Sequence, residues 1–167
     1  MLLTTVIIIL REFLEAAMIF SVLLAIGRHL GIGLAWVGRA IGLGALGAVL
    51  FAVNTARVSE WFDGVGQEVL NAVLQIGIFA CLTWFAVLFT TRPNAAGTGN
   101  RLMTLMTVSV VLAITREGSE ILIYISGFLS MPELLKPILL GSLVGAAIGT
   151  SVGALLFCAL TSPNRTW

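Results

Sequence analysis

The chain has 167 residues, of which 59% are hydrophobic and only 10% are charged, and its formal net charge is +1. Soluble domains carry about 25% charged residues, so this composition, with a mean hydropathy of +1.08, excludes an ordinary soluble domain. The near-neutral charge and the lack of a basic run give no indication of nucleic-acid binding. The sequence therefore indicates an integral membrane protein, whose first partner is the lipid bilayer.

Five long apolar segments follow one another along the chain. They are roughly Leu3–Ile26, Leu34–Ala56, Val69–Phe89, Met103–Leu129 and Leu135–Leu160. Each supplies the roughly 20 residues that a helix needs to cross a bilayer. Lipid offers no partners to unpaired backbone groups, and the sequence shows no alternating barrel pattern. We therefore expect an all-α integral membrane protein with about five transmembrane helices.

Charges between the apolar segments predict how the helices are oriented. Basic residues lie in or near the first and third connectors and in the tail, whereas acidic residues lie in the second connector. These residues are Arg28, Arg39, Arg92, Arg101 and Arg165, against Glu60, Asp63 and Glu68. Basic loops stay in the cytoplasm. We expect a multi-pass protein of the plasma or bacterial inner membrane, with its N-terminus outside and its C-terminus in the cytoplasm.

The first and fourth apolar segments contain the same charged motif, Arg-Glu-x-x-Glu. Its members are Arg11, Glu12 and Glu15 in the first copy and Arg116, Glu117 and Glu120 in the second. In each copy the glutamates are at positions i and i+3 of a helix and share a face, and the arginine can pair with the second glutamate at i+4. Each intramembrane charge costs about 2.5–3.5 kcal/mol on insertion scales, so these motifs indicate function rather than packing alone.

The positions of the two motifs predict an internal repeat. Glycines recur in the segment that follows each motif, as Gly38, Gly42, Gly44 and Gly47 and as Gly141, Gly145, Gly149 and Gly153. Three segments separate equivalent positions, and this odd number inverts the second copy, as in many secondary transporters. We predict a first repeat over residues 1–100, with three helices and a linker. A second, inverted and incomplete repeat with two helices spans residues 101–167.

The chemistry of the motifs indicates a cation path. Four carboxylates from two oppositely directed helices can converge, and carboxylate oxygens suit hard cations. The single histidine and the two separated cysteines indicate no haem or soft-metal site, so we expect no fixed cofactor. The residues alone do not distinguish iron from manganese, calcium or protons.

The paired motif resembles the signature of the oxidase-dependent iron permease family. The match is carried by "REFLEAA" at Arg11–Ala17, "REGSE" at Arg116–Glu120 and "CLTWF" at Cys81–Phe85. The resemblance implies a permease for iron uptake and not an enzyme, with iron as transported substrate and an extracytoplasmic ferroxidase or iron-delivery protein as the expected partner. It also implies metal-binding glutamates and supporting arginines, which here are Glu12, Glu15, Glu117, Glu120, Arg11 and Arg116.

The chain departs from the family pattern at three positions and in length. Phe13 replaces the glycine of the first motif, which predicts the loss of a close helix contact there. Ser119 replaces the leucine of the second motif and predicts either an added oxygen near the site or, preferably, a bond to the helix backbone. Asn71 replaces a family glutamate and predicts a carbonyl oxygen or one acidic ligand fewer. The family usually has seven helices, so five lead us to expect a fragment or a short relative that completes itself as a homo-oligomer.

Two alternatives to iron uptake stay open. One is a transporter of another divalent cation, such as lead or manganese. The other is a non-transporting membrane subunit whose charged motifs dock partner helices.

Overall fold

The computed structural model describes residues 2–91 and 97–162, and all regular structure within these ranges is helical. The five long helices are α1 Leu2–His29, α2 Ala35–Ser59, α3 Gly66–Thr91, α4 Thr98–Ser126 and α5 Pro132–Thr161. A short 3₁₀ turn, Trp61–Gly64, connects α2 to α3. The prediction of an all-α chain with five long helices is confirmed. Arg92 and Arg165, two of the basic residues that predict the orientation, lie outside the described residues.

The exposed surfaces of the helices are those of a membrane protein. By length and composition, α2, α3 and α5 are each able to cross a membrane. With 28 and 29 residues, α1 and α4 are of similar length, and they carry the charged motifs. Large apolar side chains such as Val53, Phe79 and Leu155 are exposed, as expected where the surrounding solvent is lipid. The chain is therefore a multi-pass membrane protein.

The chain packs as two compact units. The first unit consists of residues 1–31 and 120–167, and it contains α1, the end of α4 and α5. The second unit consists of residues 32–119, and it contains α2, α3 and most of α4. Each unit joins helices from both predicted repeats, residues 1–100 and 101–167. Packing and repetition are different properties of a chain, and the division into repeats stays a prediction.

In the first unit, α5 packs against α1 through a column of four buried glycines. An added Cβ at Gly141, Gly145, Gly149 or Gly153 would lie within 3.1 Å of the Cβ of Thr5, Ile9, Phe13 or Ala17, respectively. The residue numbers of the contact partners rise together along the two helices, so α1 and α5 are parallel. The Ser21 hydroxyl also donates a hydrogen bond of 2.8 Å to the carbonyl of Gly153. Columns of small residues hold helices together in lipid because the backbones can approach closely.

The second unit contains a parallel helix pair of the same kind, formed by α2 and α4. An added Cβ on Gly44 would lie 2.7 Å from the Cβ of Ile114, and one on Gly118 would lie 3.0 Å from that of Ala48. The Thr115 hydroxyl donates a hydrogen bond of 3.3 Å to the carbonyl of Gly44. As in the first unit, a helix that carries a charged motif is fixed by small residues on a parallel neighbour.

The same sequence interval relates the two packing columns and the two motifs. The buried face of α2 includes Trp36, Ala40, Gly44 and Ala48. Each of these residues precedes one glycine of the α5 column by the interval that separates Arg11 from Arg116. This regularity is what an internal repeat predicts. Each unit thus combines the motif helix of one predicted repeat with the small-residue helix of the other.

The prediction for Phe13 is wrong, because the close helix contact is retained. The Cβ of Phe13 would lie 2.6 Å from a Cβ added to Gly149, so the glycine on α5 lets the two helices approach closely at this residue. At the equivalent position of the second motif, Gly118 faces Ala48. The small residue of this contact is therefore on α5 rather than on α1.

We expect Gly149→Ala to destabilise the protein, whereas Gly38→Ala should not. The new methyl group of Gly149→Ala would overlap Phe13, and overpacking typically costs about 1–3 kcal/mol. Gly38 is the matched control because no atom lies within 4 Å of a Cβ added there, and alanine favours helix by about 1 kcal/mol. Thermal unfolding in detergent measures both variants. Equal midpoints for the two would contradict the α1–α5 contact.

Candidate metal centre

The candidate centre is built around Glu12, a carboxylate buried in the middle of α1. The residue is only 4% exposed. Its Oε1 lies 3.9 Å from Nε of Arg11, whereas its Oε2 is buried and accepts no hydrogen bond from any of the described residues. A buried carboxylate oxygen without a partner is costly. Glu12 therefore offers an acceptor that a proton or a cation would stabilise.

A second carboxylate, Glu120, approaches Glu12 from the end of α4. Oxygens of the two carboxylates lie within 4.8 Å of each other. Further along the same pair of helices, the hydroxyl oxygens of Thr5 and Tyr124 are 2.9 Å apart. The residue numbers rise along α1 as they fall along α4, so these two segments are antiparallel. The first unit thus brings together one glutamate from each motif on two oppositely directed helices.

Glu15, the second glutamate of the first motif, is bound to Arg11. Its Oε1 accepts a hydrogen bond of 3.1 Å from Nε of Arg11, which is the predicted i, i+4 pair. The side chain of Arg11 is 68% exposed and that of Glu15 is 35% exposed, against 6% for Glu12. The arginine is thus directed toward the more exposed carboxylate, and its contact with Glu12 is the longer one.

The second motif is largely buried. Nη1 of Arg116 forms an ion pair with Oε1 of Glu117. The Ser119 hydroxyl donates a hydrogen bond of 2.7 Å to the carbonyl of Arg116, which confirms the backbone bond preferred for this serine. Glu117 precedes Glu120 by three residues, so the two share one face of α4. Asn71 is half-buried on α3, and its contribution to the site stays a prediction.

The sequence patterns do not identify two hydroxyl residues beside the acid pair as site residues. Thr5 is fully buried and precedes Glu12 by two helical turns, and Tyr124 follows Glu120 by one turn. The ring of Tyr124 also packs edge-on against Phe128, with 5.3 Å between ring centroids. The signal that would have found these residues is their spacing, since i+4 and i+7 lie on the same helix face as i.

The geometry of the acid pair determines what it can bind. Two carboxylates at this distance repel each other when both are charged, so a proton or a cation between them stabilises the pair. The nearby groups offer oxygen atoms, and hard cations prefer oxygen ligands. Glu12, which is buried, and Glu120, which is half-buried, therefore form an acid pair whose chemistry suits a hard cation.

The structure is thus an all-helical membrane fold in which a buried and a half-buried carboxylate lie close together. Among protein-family models, that of the iron permease FTR1 family matches residues 2–167. The chain belongs to this family, which is a family of transporters and not of enzymes. The resemblance predicted from the paired motif is confirmed. Comparisons with characterised proteins and with solved structures give no match.

We expect Glu12→Gln to stabilise the metal-free protein. The amide keeps the shape of the side chain and removes the repulsion with Glu120, which should raise the free energy of unfolding by about 1–3 kcal/mol. Thermal unfolding in detergent with a chelator measures this gain. Glu133→Gln, at the exposed start of α5, is the control and should leave the midpoint unchanged. A midpoint below that of the wild type for Glu12→Gln would show that the Glu12 charge is already compensated.

Proposed function

We propose that the chain is a permease that takes up iron and binds it between Glu12 and Glu120 before releasing it to the cytoplasm. Membership of the iron permease FTR1 family supports iron as the substrate. The observation that carries the proposal is the buried Oε2 of Glu12, which has no hydrogen-bond partner among the described residues while a second carboxylate faces the same side chain. A cation between the two carboxylates would give the Oε2 of Glu12 the partner that it lacks.

We further propose that all five helices cross the membrane and that Glu12 lies near its midplane. Ten residues separate Leu2 from Glu12, which is about 15 Å at 1.5 Å per residue. This is half the roughly 30 Å thickness of the hydrocarbon core. The N-terminus then lies outside, the acidic second connector faces the same side, and the C-terminus is cytoplasmic. Inverted repeats also have their sites at this depth.

The other motif residues complete the proposed site. Glu117 joins as a third ligand because it shares a face of α4 with Glu120, and Glu15 joins when the cation displaces Arg11 from it. Arg11 and Arg116 compensate the acidic charge while no cation is bound, as their ion pairs suggest. Asn71 contributes a carbonyl oxygen. Ser119 supports the helix backbone next to Glu120, because its hydroxyl is bound to the carbonyl of Arg116.

The proposed function involves partners that deliver iron in the cell, but no fixed cofactor. Iron is the transported substrate, and carboxylate protonation assists its release. An extracytoplasmic ferroxidase or iron-delivery protein supplies the metal at the outer face. We propose that the chain also forms a homo-oligomer in the membrane. The oligomer has to use a surface other than the glycine column of α5, because α1 covers that column.

We expect Glu12→Gln and Glu120→Gln each to reduce iron uptake by at least tenfold, because each removes a negative ligand from a site with few of them. Uptake of radioactive iron into cells that produce each variant measures the effect, with protein amounts in the membrane matched. Glu133→Gln makes the same chemical change at an exposed position and should transport normally. Wild-type uptake by both site variants would refute the proposed site.

Two further measurements separate the proposal from its alternatives. Competition by lead and manganese during iron uptake identifies the preferred cation, and stronger uptake of either would replace iron as substrate. Flux into proteoliposomes that contain only the purified chain tests the non-transporting alternative. If those vesicles take up no cation although the protein is folded, the chain is a subunit of a larger transporter.

A further inference from the structure

We infer that the hydrogen bond between Thr5 and Tyr124 closes the outer end of the route to the acid pair. This inference rests on the proposed function, since it concerns access to the same site. Under this inference, Thr5 and Tyr124 are gating residues that control access to the acid pair during transport. The route in question is the seam between α1 and the antiparallel end of α4, both of which belong to the first unit.

The two hydroxyls lie in the same seam as the two carboxylates. On α1, Thr5, Ile8 and Glu12 are at positions i, i+3 and i+7, which share one helix face. On α4, Tyr124 follows Glu120 by four residues and shares its face. Thr5 is about 10 Å from Glu12 along α1, toward the N-terminus, at 1.5 Å per residue. Because the helices are antiparallel, the Thr5–Tyr124 pair lies at one end of the seam, which is the outer end in the proposed orientation.

The contact between Thr5 and Tyr124 joins α1 to α4 at the outer end of the seam. Thr5 is fully buried, and its hydroxyl oxygen is 2.9 Å from that of Tyr124. The Tyr124 ring also packs edge-on against Phe128. Two oxygens in hydrogen-bond contact leave no space for a cation between them, so the bond has to break before a cation passes. The separated hydroxyls then offer neutral oxygen ligands to a cation that is losing its water.

The sequence repeat does not reproduce this pair at its equivalent positions. The interval that relates the motifs takes Thr5 to Val110 and Tyr124 to Ile19, and neither side chain has a hydroxyl. The Thr5–Tyr124 pair therefore has no counterpart in the other half of the repeat. It lies beside Glu120, the second glutamate of the second motif. A difference between the two copies is expected where the two ends of a route perform different tasks.

A thiol-labelling experiment tests the closure. In the full chain with Cys81→Ser and Cys158→Ser, an Ile8→Cys reporter lies on α1 between Thr5 and Glu12. Cells are treated from outside with a membrane-impermeant methanethiosulfonate, without added iron. Breaking the bond by Tyr124→Phe or by Thr5→Val should raise the labelling rate of the reporter about 2- to 12-fold, as expected for the loss of one hydrogen bond. Both changes preserve the size of the side chain.

Ser126→Ala is the matched control, because its hydroxyl donates a hydrogen bond only to the carbonyl of Ile123 on the same helix among the described contacts. The labelling rate should stay unchanged in this variant, and labelling after denaturation confirms that the reporter thiol is present in every protein. Equal rates for Tyr124→Phe, Thr5→Val and the parent protein would overturn the inference. Faster labelling only from the cytoplasmic side would also overturn it.

The labelling result is independent of iron, so it can fail separately from the proposed function. If Glu12→Gln abolishes uptake while labelling is unchanged in Tyr124→Phe, the iron site stands and the gating role is refuted. If labelling increases while Glu12→Gln transports normally, the hydroxyl pair closes the seam but the seam does not lead to an iron site, and the gating role in transport is also refuted.

Discussion

The burial of Glu12 opposite Glu120 is the constraint on which the rest of the structure depends. Charged groups in an apolar bilayer are costly, and two carboxylates within 4.8 Å of each other add mutual repulsion. The arginine of the first motif relieves only part of this cost, because it is hydrogen-bonded to Glu15. A fold that holds such a pair has to keep its helices from separating. It also has to compensate the negative charge of the pair.

The glycine column of α5 meets the first of these requirements. It fixes α1 along four successive turns, from Thr5 to Ala17, and Glu12 lies within this length. Because the contact involves backbone and small side chains, it does not depend on flexible groups. The position of the Glu12 carboxylate is therefore set by the packing of α1 against α5 on one face and by the approach of α4 on another.

The sequence predicts the parts of this structure that depend on one helix at a time. The lengths of the apolar segments predict the five helices. Positions along a single helix predict the Arg11–Glu15 pair and the backbone bond of Ser119. Contacts between helices are less accessible to sequence reasoning. The prediction for Phe13 is wrong because the glycine of that contact is on α5. The Thr5–Tyr124 pair is missed because its members are 119 positions apart on different helices, and helical spacing relates only residues of the same helix.

The pairing of α1 with α5 also has a consequence for how the protein is made. The ribosome produces α1 before the other four helices and α5 after them. A helix with three charged residues near its middle, Arg11, Glu12 and Glu15, therefore enters the bilayer before the glycine column that packs against it exists. Until then, the face of α1 that contains Thr5, Ile9, Phe13 and Ala17 has no α5 to pack against. The first unit can therefore be completed only after all five helices have been made.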